Sequence, residues 1–158
     1  MKTRSTRKKL TKNKKNVRVL AQGTFDLLHP GHVHYLHFAK KFGTHLTVII
    51  ARDDTVKRVK NHESMFDEQT RLKLVSAVKH VDCAVLGGKG NILDKVVELR
   101  PDVIVLGYDQ NVSIKELREQ LRERGLSCKI VRATAHFPKI FKSTKLKEKI
   151  ALKSESKR

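Results

Sequence analysis

The sequence predicts an α/β fold: a doubly wound, five-stranded parallel sheet of strand order 3-2-1-4-5 with helices on both faces. Two patterns indicate it. Five short, almost wholly apolar runs recur along the chain, and longer segments with helical periodicity lie between them. Strands that are apolar along their whole length are buried on both faces, as in parallel sheets with helical crossovers. The length of 158 residues suits one such domain.

The apolar runs are rich in β-branched residues, which favour strands. The five predicted strands are Val17–Ala21, Leu46–Ala51, Cys83–Gly87, Val103–Gly107 and Cys128–Arg132. The helical segments start near a capping residue or a proline, and several stop at glycine or just before proline. They are Gly31–Phe42, Asp67–Lys79, Asn91–Leu99, Ser113–Arg124 and Ser143–Lys153. The longest irregular stretch, from Asp53 to Phe66, is predicted to be a mobile basic loop beside the ligand-binding site of the domain.

The chain is strongly basic, with 35 Lys and Arg against 16 Asp and Glu and a formal net charge of +19. Residues 1–15 hold eight of the cations, no acid and too few apolar residues to pack, so they are predicted to form a disordered arm. Residues 16–158 are the predicted folded domain, which ends in a C-terminal helix and a frayed basic tail. Such a charge attracts polyanions, either nucleic acids or nucleoside triphosphates.

Several features favour a cytoplasmic location. No apolar run approaches the roughly 20 residues that a membrane-spanning helix needs. The basic start is not followed by the sustained apolar segment of a secretion signal. The two cysteines, Cys83 and Cys128, are isolated thiols and do not suggest a disulfide framework or a metal site.

The most informative segment, residues 23–32, follows the first predicted strand and reads GTFDLLHPGH. Its glycines permit a tight turn and close approach of a ligand to the backbone, and Pro30 suits a first helical turn. His29 and His32 are three residues apart, so both imidazoles can face one point beside the amides of a helix start, an arrangement typical of anion sites. Metal binding is the alternative, but two ligands are too few for a closed site. A plainer alternative is that both histidines cap the helix and pack against the sheet.

This segment resembles the signature of the cytidylyltransferase-like nucleotidyltransferases, whose HxGH element is similar to the HIGH element of class I aminoacyl-tRNA synthetases. The resemblance extends over about residues 17–153. Within this group the chain is most similar to the archaeal FAD synthases, in Ala51–Val56, Glu98–Gln110 and the Ser143-Thr144 pair. The resemblance implies a Rossmann-like fold and transfer of AMP from ATP to FMN, which gives FAD and pyrophosphate. Glycerol-3-phosphate cytidylyltransferases are similar over the same length, so CTP with glycerol 3-phosphate or a similar acceptor is the alternative.

The resemblance also implies which residues form the site, with His29 and His32 as the catalytic residues. The residues that it implies for nucleotide binding are Thr24, Phe25, His29, Pro30, Gly31, His32, Asp109, Arg132, Ser143 and Thr144. Those implied for phosphate or acceptor binding are Lys60 and Arg71. The placement agrees with the predicted topology, because ligands of doubly wound sheets bind where the chain reverses direction, here between the first and fourth strands.

Plainer explanations stay open for three of these residues: Asp109 as a turn residue, Arg132 as a surface strand end and Ser143 as a helix cap. A divalent ion, Mg²⁺, is expected to shield the phosphates. The expected partners are ATP and FMN, and a homodimer is possible because relatives commonly form one. A nucleic-acid-binding module is the alternative of another class, but aromatic residues make up only 5% and no strand carries the aromatic pair of an RNA-binding sheet.

Overall fold

A computed structural model of the chain describes residues 16–135 and 143–155. The predicted basic arm, residues 1–15, lies outside the described residues, as does the end of the chain at 156–158. The disordered arm, the frayed tail and the domain boundary at residue 16 therefore stay predictions.

The described residues contain a five-stranded parallel sheet of order β3-β2-β1-β4-β5. Its strands are β1 (Arg18–Gly23), β2 (His45–Ile50), β3 (Cys83–Leu86), β4 (Val103–Leu106) and β5 (Lys129–Arg132). This confirms the predicted fold class and strand order. All five strands lie where the apolar runs predicted them. The three central strands β2, β1 and β4 contain the buried residues, whereas the edge strands β3 and β5 are only partly buried.

The helices are α1 (Pro30–Lys40), α2 (Asp53–Lys60), α3 (Glu68–Ser76), α4 (Ile92–Leu99), α5 (Ile114–Glu123) and α6 (Ser143–Glu155). The expectation of an irregular loop from Asp53 to Phe66 is wrong over its first half, which is α2. Only Val56 of α2 is buried, so the apolar periodicity is too short to detect. Its charges fit a helix nonetheless, because acids occupy its first turn and cations its last, as the helix dipole favours.

Two apolar clusters form the core, one on each face of the sheet. On one face Leu36 and Ala39 of α1 and Val75 of α3 pack on alternate strand residues such as Val19 and Ala21. The cluster on the other face contains Leu20 and Ile104 of the sheet with Val96, Leu117 and Leu121 of α4 and α5. The alternation along β1 distributes its side chains between the clusters, as expected of a strand buried on both sides.

The neighbouring strands β1 and β4 mark the point where the chain reverses direction, since β2 and β3 lie on one side of them and β5 on the other. The two strands are in parallel register, with Ala21 opposite Val105. The loops that follow them therefore open at the same end of the sheet, where such folds bind ligands.

Candidate active site

A cavity of about 850 Å³ lies at the carboxyl ends of the strands. It is lined by the turn between β1 and α1, by α2, by the segments after β3, β4 and β5, and by α6. Eight of the residues that the resemblance implied line it together: Thr24, Phe25, His29, Gly31, His32, Lys60, Asp109 and Thr144. Pro30, Arg71 and Arg132 are not among the lining residues. Ser143 begins α6 next to Thr144, and its side chain lies outside the described part.

The turn before α1 is built so that both histidines enter this cavity. His29 is the N-cap residue of α1, and its Nδ1 accepts the backbone N–H of His32 at 3.4 Å. Pro30 is the first residue of the helix, where its missing N–H costs nothing. Helix capping, the plainer alternative for these histidines, therefore does describe His29. Because the cap occupies Nδ1 as an acceptor, the neutral ring carries its proton on Nε2.

Phe25 stabilises the same turn through its backbone conformation and its ring. Its backbone is left-handed, with φ of 52°, which is uncommon for a residue with a large side chain. Its buried ring meets the ring of His32 edge-on, with centroids 5.1 Å apart. A Cβ on Gly23 would lie 2.9 Å from this ring, so only glycine fits at the end of β1. The glycine and the strained backbone thus support the ring that fixes His32.

The two imidazoles stack on each other, with centroids 3.8 Å apart and planes 17° apart. Burial lowers the pKa of His32 to about 3, and the electrostatic interactions with His29 and Lys60 act in the same direction. Burial also lowers the pKa of His29, against the opposing effect of Asp109. Both rings are therefore neutral near pH 7 and act as hydrogen-bonding groups. The Nδ1 of His32 is buried and has no hydrogen-bond partner among the described residues.

Two lysines supply positive charge to the cavity. Lys60, the last residue of α2, lines the cavity and is exposed; desolvation lowers its pKa, against the opposing effect of Asp109 and Asp26. Lys147 of α6 lines the cavity and forms an ion pair with the buried Asp26 at 2.5 Å. Phosphate groups would find both cations in the same cavity as the amides at the start of α1.

Lys147 lines the cavity but is not among the residues that the sequence implied for the site. Lys147 follows Thr144 by three residues in α6, so the two side chains share a helix face. That spacing was the signal that could have revealed it. Its partner Asp26 also accepts the backbone N–H groups of Met65 and Phe66, at 2.7 and 3.2 Å. One carboxylate therefore joins α6, the turn before α1 and the segment before α3.

Arg71 does not have the position that the resemblance implied. Its guanidinium is fully buried and donates to the carbonyls of Phe66 and Thr24, at 3.0 and 2.7 Å, and to Asp53 at 2.5 Å. These bonds tie the start of α2 to the turn before α1. With no exposed surface, Arg71 is placed to hold the walls of the cavity together, and direct contact with phosphate or acceptor does not fit this structure.

Arg132 likewise folds a loop and does not line the cavity. It donates to the carbonyls of Gly107, Gln110 and Val112, at 3.1, 2.7 and 2.6 Å. It is therefore neither the direct nucleotide contact nor the simple surface strand end that the sequence allowed. Gln110 acts with it, since its amide donates to Gln22 and accepts from the N–H of Gly107. Together they fix the loop that carries Asp109.

The chemistry of this cavity suits phosphates without a covalent intermediate. Neutral imidazoles, ammonium groups and helix amides can stabilise negative charge on phosphate oxygens. Among residues 16–135 and 143–155, no group of three or more His, Cys, Asp or Glu side chains could hold a metal ion. The metal alternative for His29 and His32 thus gains no third ligand from the described chain.

A family model described as cytidylyltransferase-like matches residues 20–149, which include every residue that lines the cavity. The chain belongs to the cytidylyltransferase-like family. Curated relatives include an FAD synthase of Aciduliprofundum boonei, 50% identical over 116 residues, which cover 73% of this chain and 77% of that protein. An FAD synthase of Thermoplasma volcanium is 42% identical over 134 residues, covering 85% of this chain and 94% of the relative.

This cytidylyltransferase-like chain has the same fold as several solved structures. A Thermoplasma volcanium protein described as a lipopolysaccharide core biosynthesis protein is 45% identical, with a TM-score of 0.73 over 76% of this chain and 98% of its own. Pantothenate synthetase of Thermus thermophilus has a TM-score of 0.53 at 12% identity over 75% of this chain and 55% of its own, so it shares the fold alone.

Within the described part of the chain, no helix has both the length and the apolar character that crossing a membrane requires.

Proposed function

We propose that this chain is an FMN adenylyltransferase, an FAD synthase that transfers AMP from ATP to FMN and releases pyrophosphate. The observation that carries the proposal is its similarity to FAD synthases over 75% to 94% of their length. The relative from Thermoplasma volcanium matches 134 residues and is covered to 94%. A match of that length in a chain of 158 residues spans the turn with His29 and His32, α2 and the loop with Asp109.

The reaction forms one P–O bond and breaks another. A phosphate oxygen of FMN attacks the α-phosphorus of ATP in line, and the bond from that phosphorus to the β-phosphate oxygen breaks, so the electron pair leaves with pyrophosphate. Negative charge grows on the bridging and equatorial oxygens in the transition state. Positioning and preorganised positive groups therefore supply most of the catalysis, and no nucleophilic side chain is needed.

The role of each cavity side chain follows from its charge and its contacts. The neutral rings of His29 and His32 bind phosphate oxygens through N–H groups, and their fixed stacking means that no reorganisation is needed as charge develops. The positive charges of Lys60 and Lys147 attract the negatively charged phosphates. Arg71 and Arg132 act indirectly, as positioning residues that hold the walls.

Nucleotidyltransferases generally use a divalent metal ion, and we propose Mg²⁺ for this chain. Mg²⁺ commonly keeps several waters and binds through one or two carboxylates together with substrate phosphates. The described residues fit that mode through one carboxylate, because Asp109 lines the cavity close enough to His29 and Lys60 to affect their pKa values. Asp109 would hold the ion, which would neutralise phosphate charge.

Other expectations remain proposals. A cytoplasmic location agrees with two free thiols, Cys83 and Cys128. A homodimer and binding of nucleic acid through the basic arm are also predictions.

The decisive experiment incubates the purified protein with ATP or CTP, Mg²⁺ and one acceptor at a time, and follows pyrophosphate and the nucleotide product. The acceptors are FMN, glycerol 3-phosphate and a sugar phosphate, the last because of the description of the 45% identical structure. We expect FAD and pyrophosphate only with ATP and FMN. The His32→Ala variant controls for a contaminating enzyme. Pyrophosphate with CTP and glycerol 3-phosphate, and none with ATP and FMN, would overturn the proposal.

A further inference from the structure

One half of the cavity carries an apolar wall that the phosphate chemistry does not use. Val59 of α2 and Ile92 of α4 both line the cavity, yet their residues are 65% and 46% exposed. Val56, one turn before Val59, lines it too and is buried. Exposed aliphatic side chains that share a concave wall are typical of a surface that becomes buried when a ligand binds.

Two glycines next to this wall keep space open. Gly87 and Gly88, in the turn after β3, line the cavity, and neither has a positive φ. A Cβ on Gly88 would meet no atom closer than 3.9 Å, and one on Gly87 none closer than 3.5 Å. Neither the backbone conformation nor protein packing therefore requires glycine here. What the missing side chains leave is room for a flat group to approach the backbone.

The glycine turn is fixed in place from the side of α2. Arg52, the residue before α2, donates from Nε to the carbonyl of Gly87 at 2.7 Å and from Nη1 to Glu68 at 2.8 Å. The backbone N–H of Asp53 also donates to Glu68, at 2.9 Å. The start of α2 and the glycine turn thus share one hydrogen-bonded framework, which holds this half of the cavity in a defined shape.

The opposite half of the cavity has a different character. The segments after β4 and β5 line it with Asp109, Asn111 and Thr134, and Arg132 holds the loop that carries Asp109 and Asn111. Polar groups of this kind can read the edge of a nucleotide base. The imidazoles of His29 and His32 follow the central strand β1, between the halves, with Lys60 at the end of α2 and Lys147 on α6.

We propose that Val59 and Ile92, with the Gly87–Gly88 turn, form the binding surface for the isoalloxazine ring of FMN. The inference rests on the proposed function and adds the residues that determine its specificity for the acceptor. A large, flat ring with an apolar edge buries Val59 and Ile92, whereas glycerol 3-phosphate leaves them in water. Burial of this wall favours flavin over small phosphorylated acceptors.

The test measures KM for FMN and for ATP in Val59→Ala, Ile92→Ala and the double variant. Truncating either side chain is expected to raise KM for FMN about 5- to 20-fold, and more in the double variant, because apolar contacts with the ring are lost. KM for ATP stays within about twofold. FMN binding, followed by flavin fluorescence without ATP, weakens in parallel and is independent of turnover.

Val33→Ala is the matched control, since this exposed valine of α1 does not line the cavity and lies in a groove that shares only His29 with it. It should change neither KM. Val59→Leu keeps an aliphatic side chain and should retain wild-type KM for FMN, whereas Val59→Thr keeps the shape, adds a hydroxyl and should raise it. Because both positions are exposed, melting temperatures should stay close to that of the wild type.

The outcomes separate this inference from the proposed function. If the wild type makes FAD and the alanine variants keep their KM for FMN, the inference is wrong and the proposed function stands. An equal rise in KM for FMN and ATP would also contradict it, because the wall would then not be specific to the acceptor. If the wild type makes no FAD from ATP and FMN, both are wrong.

Discussion

Helix α1 carries a close pair of imidazoles near each end, and the two pairs differ in almost everything except distance. At its start His29 and His32 stack with centroids 3.8 Å apart. In its last turn His37 lies beside His80, with centroids 4.4 Å apart and Nδ1 of His37 3.1 Å from Nε2 of His80. Proximity alone would make both pairs candidate sites.

Their positions in the helix and the cavity distinguish them. The first pair lies at the positive end of the helix dipole, in a cavity with Lys60 and Lys147, and burial keeps His32 neutral. The second pair lies at the negative end and is exposed. Neutral rings at the start of a helix favour the binding of anions. The end of a helix favours cations, so the second pair is not suited to bind an anion. The proposed phosphate site at His29 and His32 therefore rests on the surroundings of the two histidines and not on their spacing.

The largest expected effect comes from breaking the first pair. Replacing His29 or His32 by Ala should lower kcat by about 10²–10³, equivalent to about 3–4 kcal/mol, because each removes an oriented donor to developing charge. His37→Ala and His80→Ala should leave kcat unchanged. The measurement is kcat on folded protein at saturating nucleotide and acceptor.

Thermal melting of the same four variants supplies the control. Loss of the cap made by His29 should cost about 0.5–2 kcal/mol of folding stability, which is separable from the loss of rate. Near-wild-type turnover of both first-pair variants with a lowered melting temperature would show that the pair merely starts a helix. Equal losses of kcat in all four variants would remove the distinction between the pairs.

The same contrast between buried and exposed neighbours applies to the ion pairs. Arg71→Ala should cost about 2–3 kcal/mol of unfolding free energy, below the range for a fully buried pair because its partner Asp53 is half exposed. Lys57→Ala breaks the exposed pair with Glu63 and should change stability little. Urea unfolding of both variants measures the difference. A similar cost for the two would mean that burial of Arg71 contributes nothing.

The sequence was most informative where the chemistry is local. The strands and the turn at residues 23–32 followed from short-range patterns, and the strand order followed from the fold class that these patterns indicate. The turn alone carries five of the eight implied residues that line the cavity. Contacts between distant segments were not predictable in this way. The bond from Arg71 to Thr24 joins residues 47 apart, and Lys147 reaches Asp26 from the last helix. A cation in a sequence does not reveal whether it will face a ligand or a carbonyl, and α2 had too little apolar periodicity to be predicted.

A smaller effect is expected in the pH dependence of stability. The pKa of His32 is lowered from 6.5 to about 3 in the folded chain. Between these pH values the unfolded chain binds a proton that the folded chain does not, so the full contribution to stability is present above pH 6.5 and is lost as pH falls towards 3. The His32→Asn variant lacks this proton uptake. The slope of its unfolding free energy against pH should therefore be smaller by up to about 1.4 kcal/mol per pH unit, the value for one proton.

His37→Asn is the matched variant for this measurement. The pKa of His37 is also lowered, first by desolvation and then by Lys41 and His80, but the side chain is exposed and stays hydrated. It should flatten the curve much less than His32→Asn. Denaturant titrations between pH 4 and pH 7 give both slopes. Equal slopes for the two variants would contradict the difference in burial on which the comparison of the pairs rests.

The smallest effect is expected from the basic arm, because it brings charge without fixed geometry. Removing residues 1–15 takes away eight cations and leaves in place every cavity-lining residue of the described part of the chain. Long-range attraction of anionic substrates should fall, lowering kcat/KM by a few fold at low ionic strength, where charges are screened least. At about 0.15 M salt the difference should largely disappear, and kcat should be unchanged at either salt concentration, since the imidazoles and lysines of the cavity remain. Steady-state kinetics of the chain that begins at Asn16, at two salt concentrations, check this. A folded protein that has lost kcat would place the arm in the active site and the domain boundary before residue 16.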